Sequence, residues 1–280
     1  MSTAATRSEL ERLLGEDAPY GDLTTDALGI AGVPARMVFT ARGAMVAALV
    51  EDAAALVELA GGRVDGHVRS GVLVEPGALL LSASGPAASL LRSWKVAQTL
   101  IETWSGVASA ARAMVDAASC VSPAPVIACT RKNPPGTKAF AVAAVRAGGA
   151  LMHRLGLSET ILVFPEHLSF LDGPLSDQVE ALRRKAPEKK LAVEVASVDA
   201  GVEAARAGFH VVQTEKFSPG MVGELVRALA EREARPLVAA AGGIGPGNAA
   251  DYARAGADIL VTSAPYGASP RDVKVLIERA

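Results

Sequence analysis

"LAVEVASVDAGVEAARAGFHVVQTE", Leu191 to Glu215, decides the fold. Its first part, "LAVEVA", is an apolar run with β-branched residues. "VDAGVEAARAG" then carries apolar residues at helical spacing and stops on a glycine, as helix C-termini often do. "VVQTE" returns to a strand pattern. Strand, helix and strand in some 25 residues make a βαβ unit, whose two strands run parallel. Both read as near-continuous apolar runs, so both faces of their sheet are expected to be covered.

The same rhythm continues on either side. Further strand runs are "PVIACT" (125–130), "ILVFPE" (161–166), "PLVAAA" (236–241) and "DILVTS" (258–263). Helical patterns stand between them: "KAFAVAAVRAG", "SDQVEALRRKA", "SPGMVGELVRALAER" and "GNAADYARAG". Six such repeats fit an α/β barrel, complete or incomplete, better than a short open sheet. A dinucleotide-binding fold is the rival, but no G-x-G-x-x-G follows a first strand. Upstream the pattern changes. A short helix is expected over 7–14, then a loop, the strands "ARMVFTARG" and "AMVAALV", and the helix "EDAAALVELAG". Glycine-broken strands fill 62–85, and a long helical stretch runs from Pro86 to Ser119. The pattern suggests a small, mostly antiparallel first domain over 1–112 and a barrel domain over 113–267. The tail 268–280 is a candidate to join the first domain.

Composition narrows the function. The chain has 280 residues, half of them hydrophobic, with a formal net charge of -2. That balance argues against nucleic acid or an anionic membrane as the main partner. No apolar run is long enough to predict a membrane-spanning helix, and the start lacks a signal peptide's apolar core. Two cysteines, Cys120 and Cys129, make no disulfide framework. Both are expected to be small buried hydrophobes in a cytoplasmic protein.

Against that mildly acidic background, "CTRKNPPGTK" (129–138) gathers Arg131, Lys132 and Lys138 on one proline-stiffened loop, although Lys138 also fits the start of the next helix. In α/β barrels the reactive residues sit at the C-terminal strand ends. Those ends carry Arg131 and Lys132, then His153 and Arg154, Glu194, Glu215 with Lys216, the glycines of "AAAGGIGPGN", and "TSAPYG". Each has a plainer reading: a solvated turn, a hydrogen-bonded core histidine, a structural carboxylate, a tight turn. Together, cations, paired carboxylates and a glycine-rich backbone are what a polyphosphate substrate with magnesium requires.

These motifs resemble those of the quinolinate phosphoribosyltransferases, the carboxylating nicotinate-nucleotide pyrophosphorylases. The resemblance rests on "EDAPYGDLTTD", "WSGVAS", "CTRK", "GGALMHRLGL", "VEVAS" and "AAGGI". Two further stretches, "WKVAQTLIETWSG" and "HRLGLSETILVFPEH", are similar to the family's molybdenum-transport-associated branch. The resemblance implies an N-terminal α/β sandwich domain packed on an open α/β barrel, and transfer of the 5-phosphoribosyl group from phosphoribosyl pyrophosphate, with Mg²⁺, in a cytoplasmic homodimer. In such a dimer one subunit's N-terminal domain covers the other's barrel mouth, and higher assemblies are open. It implies catalytic roles for Arg131, Lys132, Glu194 and Glu215, the two glutamates lying near ribose and Mg²⁺. Substrate contacts carry over to Lys95, Arg131, His153, Arg154, Phe164, Ala241, Gly242, Gly243 and the loop Ser263 to Gly267. Lys95 is the residue that would reach in from the partner.

The departures matter as much. Lys95 stands where the family has an arginine, Phe164 where it has a lysine, Glu166 where it has an asparagine, and Ala241 where it has a serine. Each lost charge-assisted contact costs about 1.5–3 kcal/mol. Two losses would weaken quinolinate binding by roughly 10²–10⁴-fold. The expectation is therefore a retained phosphoribosyl donor and a changed, anionic, nitrogen-heterocyclic acceptor. Three alternatives stay open: a non-catalytic oxyanion- or cofactor-binding protein serving molybdenum uptake, an ordinary quinolinate enzyme, and a Schiff-base lyase using Lys132.

Overall fold

The computed structural model describes residues 3–231 and 235–280. They divide into two compact units. One comprises 1–112, 133–149 and 265–280; the other comprises 113–132 and 150–264. Residues 133–149, read from sequence as part of the barrel, group with the first unit, as does the C-terminal tail.

The second unit is the open α/β barrel. Its strands are β1 (Val126–Cys129), β2 (Leu151–Met152), β3 (Ile161–Val163), β4 (Leu191–Val195), β5 (Val211–Glu215), β6 (Leu237–Ala241) and β7 (Ile259–Thr262). They form one parallel sheet in the order β2-β1-β7-β6-β5-β4-β3. The opening lies between β2 and β3, which are neighbours in sequence but stand at opposite edges. Local chemistry fixes the helices between strands. Ser197 caps the helix Val198–Ala207 by accepting from the Ala200 amide at 3.2 Å, and left-handed Gly208 ends it. Ser218 caps Pro219–Leu229 in the same way, with proline at the first turn where no amide hydrogen is needed.

The first unit holds a four-stranded antiparallel sheet with Val273–Arg279 at one edge, then Pro34–Ala41, Leu79–Pro86 and Arg63–His67. Met37, Phe39, Leu80, Leu81, Leu90 and Ile101 are fully buried in its core.

Several expectations need correction. β2 lies outside the six strand runs expected from sequence, because a two-residue strand is too short to carry a pattern of its own. "AMVAALV" forms only the strand Met45–Val46, since Leu49 turns left-handed (φ 55°) and a helix starts at Val50. β3 stops at Val163, and Pro165 opens a short helix to Leu168. A helix, Leu23–Ala27, lies where a loop was expected, capped by Asp22. Cys129 is buried but Cys120 is exposed. Residue 232, the end of the expected helix 218–232, lies outside the described residues. Among the described residues no helix is long and apolar enough to cross a membrane.

Candidate active site

The C-terminal strand ends of the barrel unit enclose a cavity of about 720 Å³. It is lined by Arg131, Lys132, His153, Arg154, Phe164, Glu194, Glu215, Ala241, Gly242, Gly243 and Ser263, among others. Thus eleven of the thirteen site residues expected from sequence line one cavity. Lys95 and Gly267 belong to the first unit. Lys95 is exposed on the helix Ala87–Ala118. Its ammonium donates to Gln98 Oε1 at 2.9 Å and stands 3.9 Å over the Trp94 ring. Gly267 is the exposed last residue of the 3₁₀ turn Ala264–Gly267. Lys138 opens the helix Lys138–Ala147, also in the first unit.

Backbone bonding holds the site residues in place. The ladder runs one residue beyond several strands: the amides of Thr130, His153 and Lys216 donate to Thr262, Cys129 and Ala241 at 2.9, 2.8 and 2.8 Å. The residues that follow each strand are therefore fixed to the sheet rather than carried on loose loops.

Four cationic side chains, Arg131, Lys132, Arg154 and Lys216, line the cavity with two carboxylates, Glu194 and Glu215. The site is locally cationic although the chain is not. Arg154 is 7% exposed, with its guanidinium 5.5 Å from the Phe164 ring. Burial, then the nearby Arg131 charge, lowers its pKa. An anion between these two guanidiniums relieves both costs. His153 is pushed below the ordinary histidine range by burial and then by Arg154, with Glu159 opposing. At neutral pH it is an uncharged hydrogen-bonding group. Phe164 also stacks on His167, centroids 5.8 Å apart, and its amide donates to His167 Nδ1 at 2.9 Å.

Glu194 and Glu215 lie two register positions apart on adjacent strands, since Glu194 pairs with Gln213. Burial raises the Glu194 pKa most. Glu215 and Glu166 add to the rise, while a hydrogen bond from Gln213 and the Lys132 charge oppose it. On the adjacent strand, directly after Ala241, which pairs with Glu215, Gly242 (φ 91°) and Gly243 (φ 72°) are both left-handed. Asn248 Nδ2 donates to the Gly243 carbonyl, its Oδ1 accepts from the Gly245 amide, and Thr262 Oγ1 donates to the Ile244 carbonyl. This braced turn lacks Cβ atoms at 242 and 243, so an anion can approach its backbone closely.

Two of the lining residues to which sequence reasoning gave no role, Gln213 and Lys216, carry polar chemistry. Gln213, 5% exposed, donates Nε2 to Glu194 Oε2 at 2.7 Å, and its Oε1 is buried without a hydrogen-bond partner. A glutamine one residue before the Thr214-Glu215 strand end was the available signal. Lys216 lies beside Glu215, and its charge followed directly on a motif already singled out.

A parallel open barrel joined to an antiparallel-sheet unit, with a cationic cavity at the barrel's strand ends, defines the class: a phosphoribosyltransferase-type α/β fold. Comparison with known proteins gives the family. Residues 22–105 match the quinolinate phosphoribosyl transferase N-terminal domain and residues 107–276 its C-terminal domain, so the chain belongs to this family. It is 47% identical, over 88% of its length and 95% of the relative's, to a Rhodobacter capsulatus protein named "Putative pyrophosphorylase ModD". It is 32% identical to the nicotinate-nucleotide pyrophosphorylase [carboxylating] of Mycobacterium leprae, covering 97% and 95% of the two chains. The fold matches the solved nicotinate-nucleotide pyrophosphorylase of Francisella tularensis with a TM-score of 0.90 at 20% identity, covering 99% of this chain and all of that one.

Proposed function

We propose that this protein transfers the 5-phosphoribosyl group of phosphoribosyl pyrophosphate to an anionic nitrogen heterocycle other than quinolinate. The observation that carries the reading is the meeting of Arg131, Lys132 and Arg154 with Glu194, Glu215 and the Gly242–Gly243 turn in one cavity. Phosphates are matched by the turn and by Lys132. Glu194 and Glu215 are matched to ribose hydroxyls. Arg131 and Arg154 are matched to the acceptor's anionic group, with neutral His153 as a directional partner. The bond between ribose C1 and pyrophosphate breaks with the electron pair leaving on pyrophosphate, and a ring nitrogen bonds to C1. The protein moves few protons in this scheme and acts by positioning and electrostatics.

Magnesium fits this residue set. The Glu215 charge adds to the cost of ionising Glu194, and a cation beside the pair would relieve it. Among the described residues there is no group of three or more metal-ligating side chains. An ion held by Glu194 and Glu215 would complete its shell with water and substrate phosphates, which is magnesium's usual mode. When bound it neutralises charge on the leaving pyrophosphate.

The altered acceptor rests on Phe164. The cavity presents an aromatic ring, already carrying the Arg154 guanidinium, where the family's motif has a lysine. Calorimetric titration of phosphoribosyl pyrophosphate, with and without Mg²⁺ and quinolinate, tests the reading. Magnesium-dependent donor binding without coupling to quinolinate is expected, with pyrophosphate release in a screen of heterocyclic acids. Arg131→Ala and Glu194→Ala should each abolish that release while the protein stays folded. Tight coupling to quinolinate makes it an ordinary quinolinate enzyme, and absence of donor binding makes it a binding protein.

A further inference from the structure

Lys216 follows Glu215 at the end of β5 and adopts a left-handed backbone (φ 56°). Among the described residues only Leu49 shares this feature outside glycine. Side chains disfavour that conformation, and glycine or asparagine adopts it more readily. Lys216 is nevertheless pinned there, its amide donating to the Ala241 carbonyl at 2.8 Å. Its root packs directly on the glycine turn. A Cβ on Gly242 would lie 2.7 Å from Lys216 Cγ, 2.9 Å from its backbone nitrogen and 3.1 Å from its Cα.

The far end of the side chain is left available. It is 79% exposed, and its closest carboxylate oxygen, Glu215 Oε1, is 3.7 Å away, a loose ion pair. The backbone angle gives no reason for a lysine here, because glycine would adopt it at less cost. Strain of this kind at a cavity is a pointer to function. The cavity wall on which it stands is the turn suited to an anion.

We propose that Lys216 is an anchoring cation for the phosphoryl group seated on the Gly242–Gly245 turn. Its Nζ would leave Glu215 and donate to phosphoryl oxygens there, as a mobile point charge. Two sources share that chemistry, a sugar 5′-phosphate and a pyrophosphate. The inference deepens the transferase reading and rests on it for the identity of the substrate.

The test titrates phosphoribosyl pyrophosphate, inorganic pyrophosphate and ribose 5-phosphate, each with Mg²⁺, into the full chain and its Lys216→Gly and Lys216→Arg variants. Lys216→Gly should raise the Tm while weakening phosphoribosyl pyrophosphate about 10–100-fold, the loss of one charge-assisted contact. Lys216→Arg should recover part of the affinity. Loss confined to ribose 5-phosphate assigns the lysine to the sugar phosphate; loss confined to pyrophosphate assigns it to the leaving group. Wild-type binding of phosphoribosyl pyrophosphate that Lys216→Gly leaves unchanged overturns the inference and leaves the transferase reading standing. Lys216-dependent binding of a simple phosphate, without phosphoribosyl pyrophosphate binding, does the reverse. No binding of any probe overturns both.

Discussion

Gln213 Nε2 donates to Glu194 Oε2 at 2.7 Å across two parallel strands on which the residues stand in register. This contact works against burial and against the Glu215 and Glu166 charges, all of which push the Glu194 pKa up. Gln213→Leu keeps the volume and removes the donor. Glu194 would then protonate at higher pH, so the acid limb of a donor-binding or rate profile should move upward. At pH above both acid limbs, binding should be nearly restored. Equal loss at every pH would mean that Gln213 only packs.

Glu194 also sets a stability prediction. Its pKa is higher folded than unfolded, so its contribution favours the fold below the unfolded value, about 4.3. That contribution is lost as pH rises through the folded pKa. Ionised Glu194 thus costs the free protein stability at neutral pH. Glu194→Gln should match wild type in thermal unfolding near pH 4 and exceed it at pH 7, while losing donor binding. A variant less stable than wild type at pH 7 would show that the carboxylate's contacts outweigh its burial.

The βα rhythm was legible because the buried parallel strands are rich in apolar, β-branched residues and some of their helices close on glycine. "VVQTE" is β5 from end to end. β2 was not legible, since its two residues are strand only through pairing with Ala128 and Cys129. Nor was the C-terminal strand Val273–Arg279, whose "VKVLIER" suits a helix as well as an edge strand and is fixed by its partner at 34–41. In the site, charges at strand ends could be assigned to one barrel mouth but not paired with their neighbours. Only the sheet order brings Glu194 beside Gln213 and sets Gly242 against Lys216. The cost that Lys216 bears is a backbone angle, which no residue type announces.

Phe164 yields a test of acceptor choice. Its ring holds the Arg154 guanidinium by a cation–π contact of 5.5 Å. Phe164→Lys restores the family's charge but places a third cation near Arg131 and Arg154. Quinolinate, a dicarboxylate, should then bind about 10–100-fold more tightly, as one charge-assisted contact is regained. Calorimetric titration of quinolinate against wild type and variant measures it. Unchanged quinolinate affinity would mean that Phe164 does not define the acceptor pocket.

Two adjacent glycines separate packing from backbone effects. A Cβ on Gly148 would sit 2.3 Å from the Ala108 carbonyl oxygen and 2.7 Å from Ala111 Cβ, both on the helix Ala87–Ala118. Its own φ of -75° suits any residue. Gly149 is the opposite case, with φ 83° and nothing within 4 Å of a Cβ. Gly148→Ala must therefore push two backbones apart, at the upper end of the roughly 1–3 kcal/mol typical of overpacking. Gly149→Ala meets only the left-handed penalty, about 1–2 kcal/mol. Asparagine tolerates left-handed backbone, so Gly149→Asn should recover part of that loss, whereas Gly148→Asn should be worse than Gly148→Ala. Denaturant midpoints of the four variants check the pattern. If asparagine is better than alanine at 148, the close approach of the two helices is wrong.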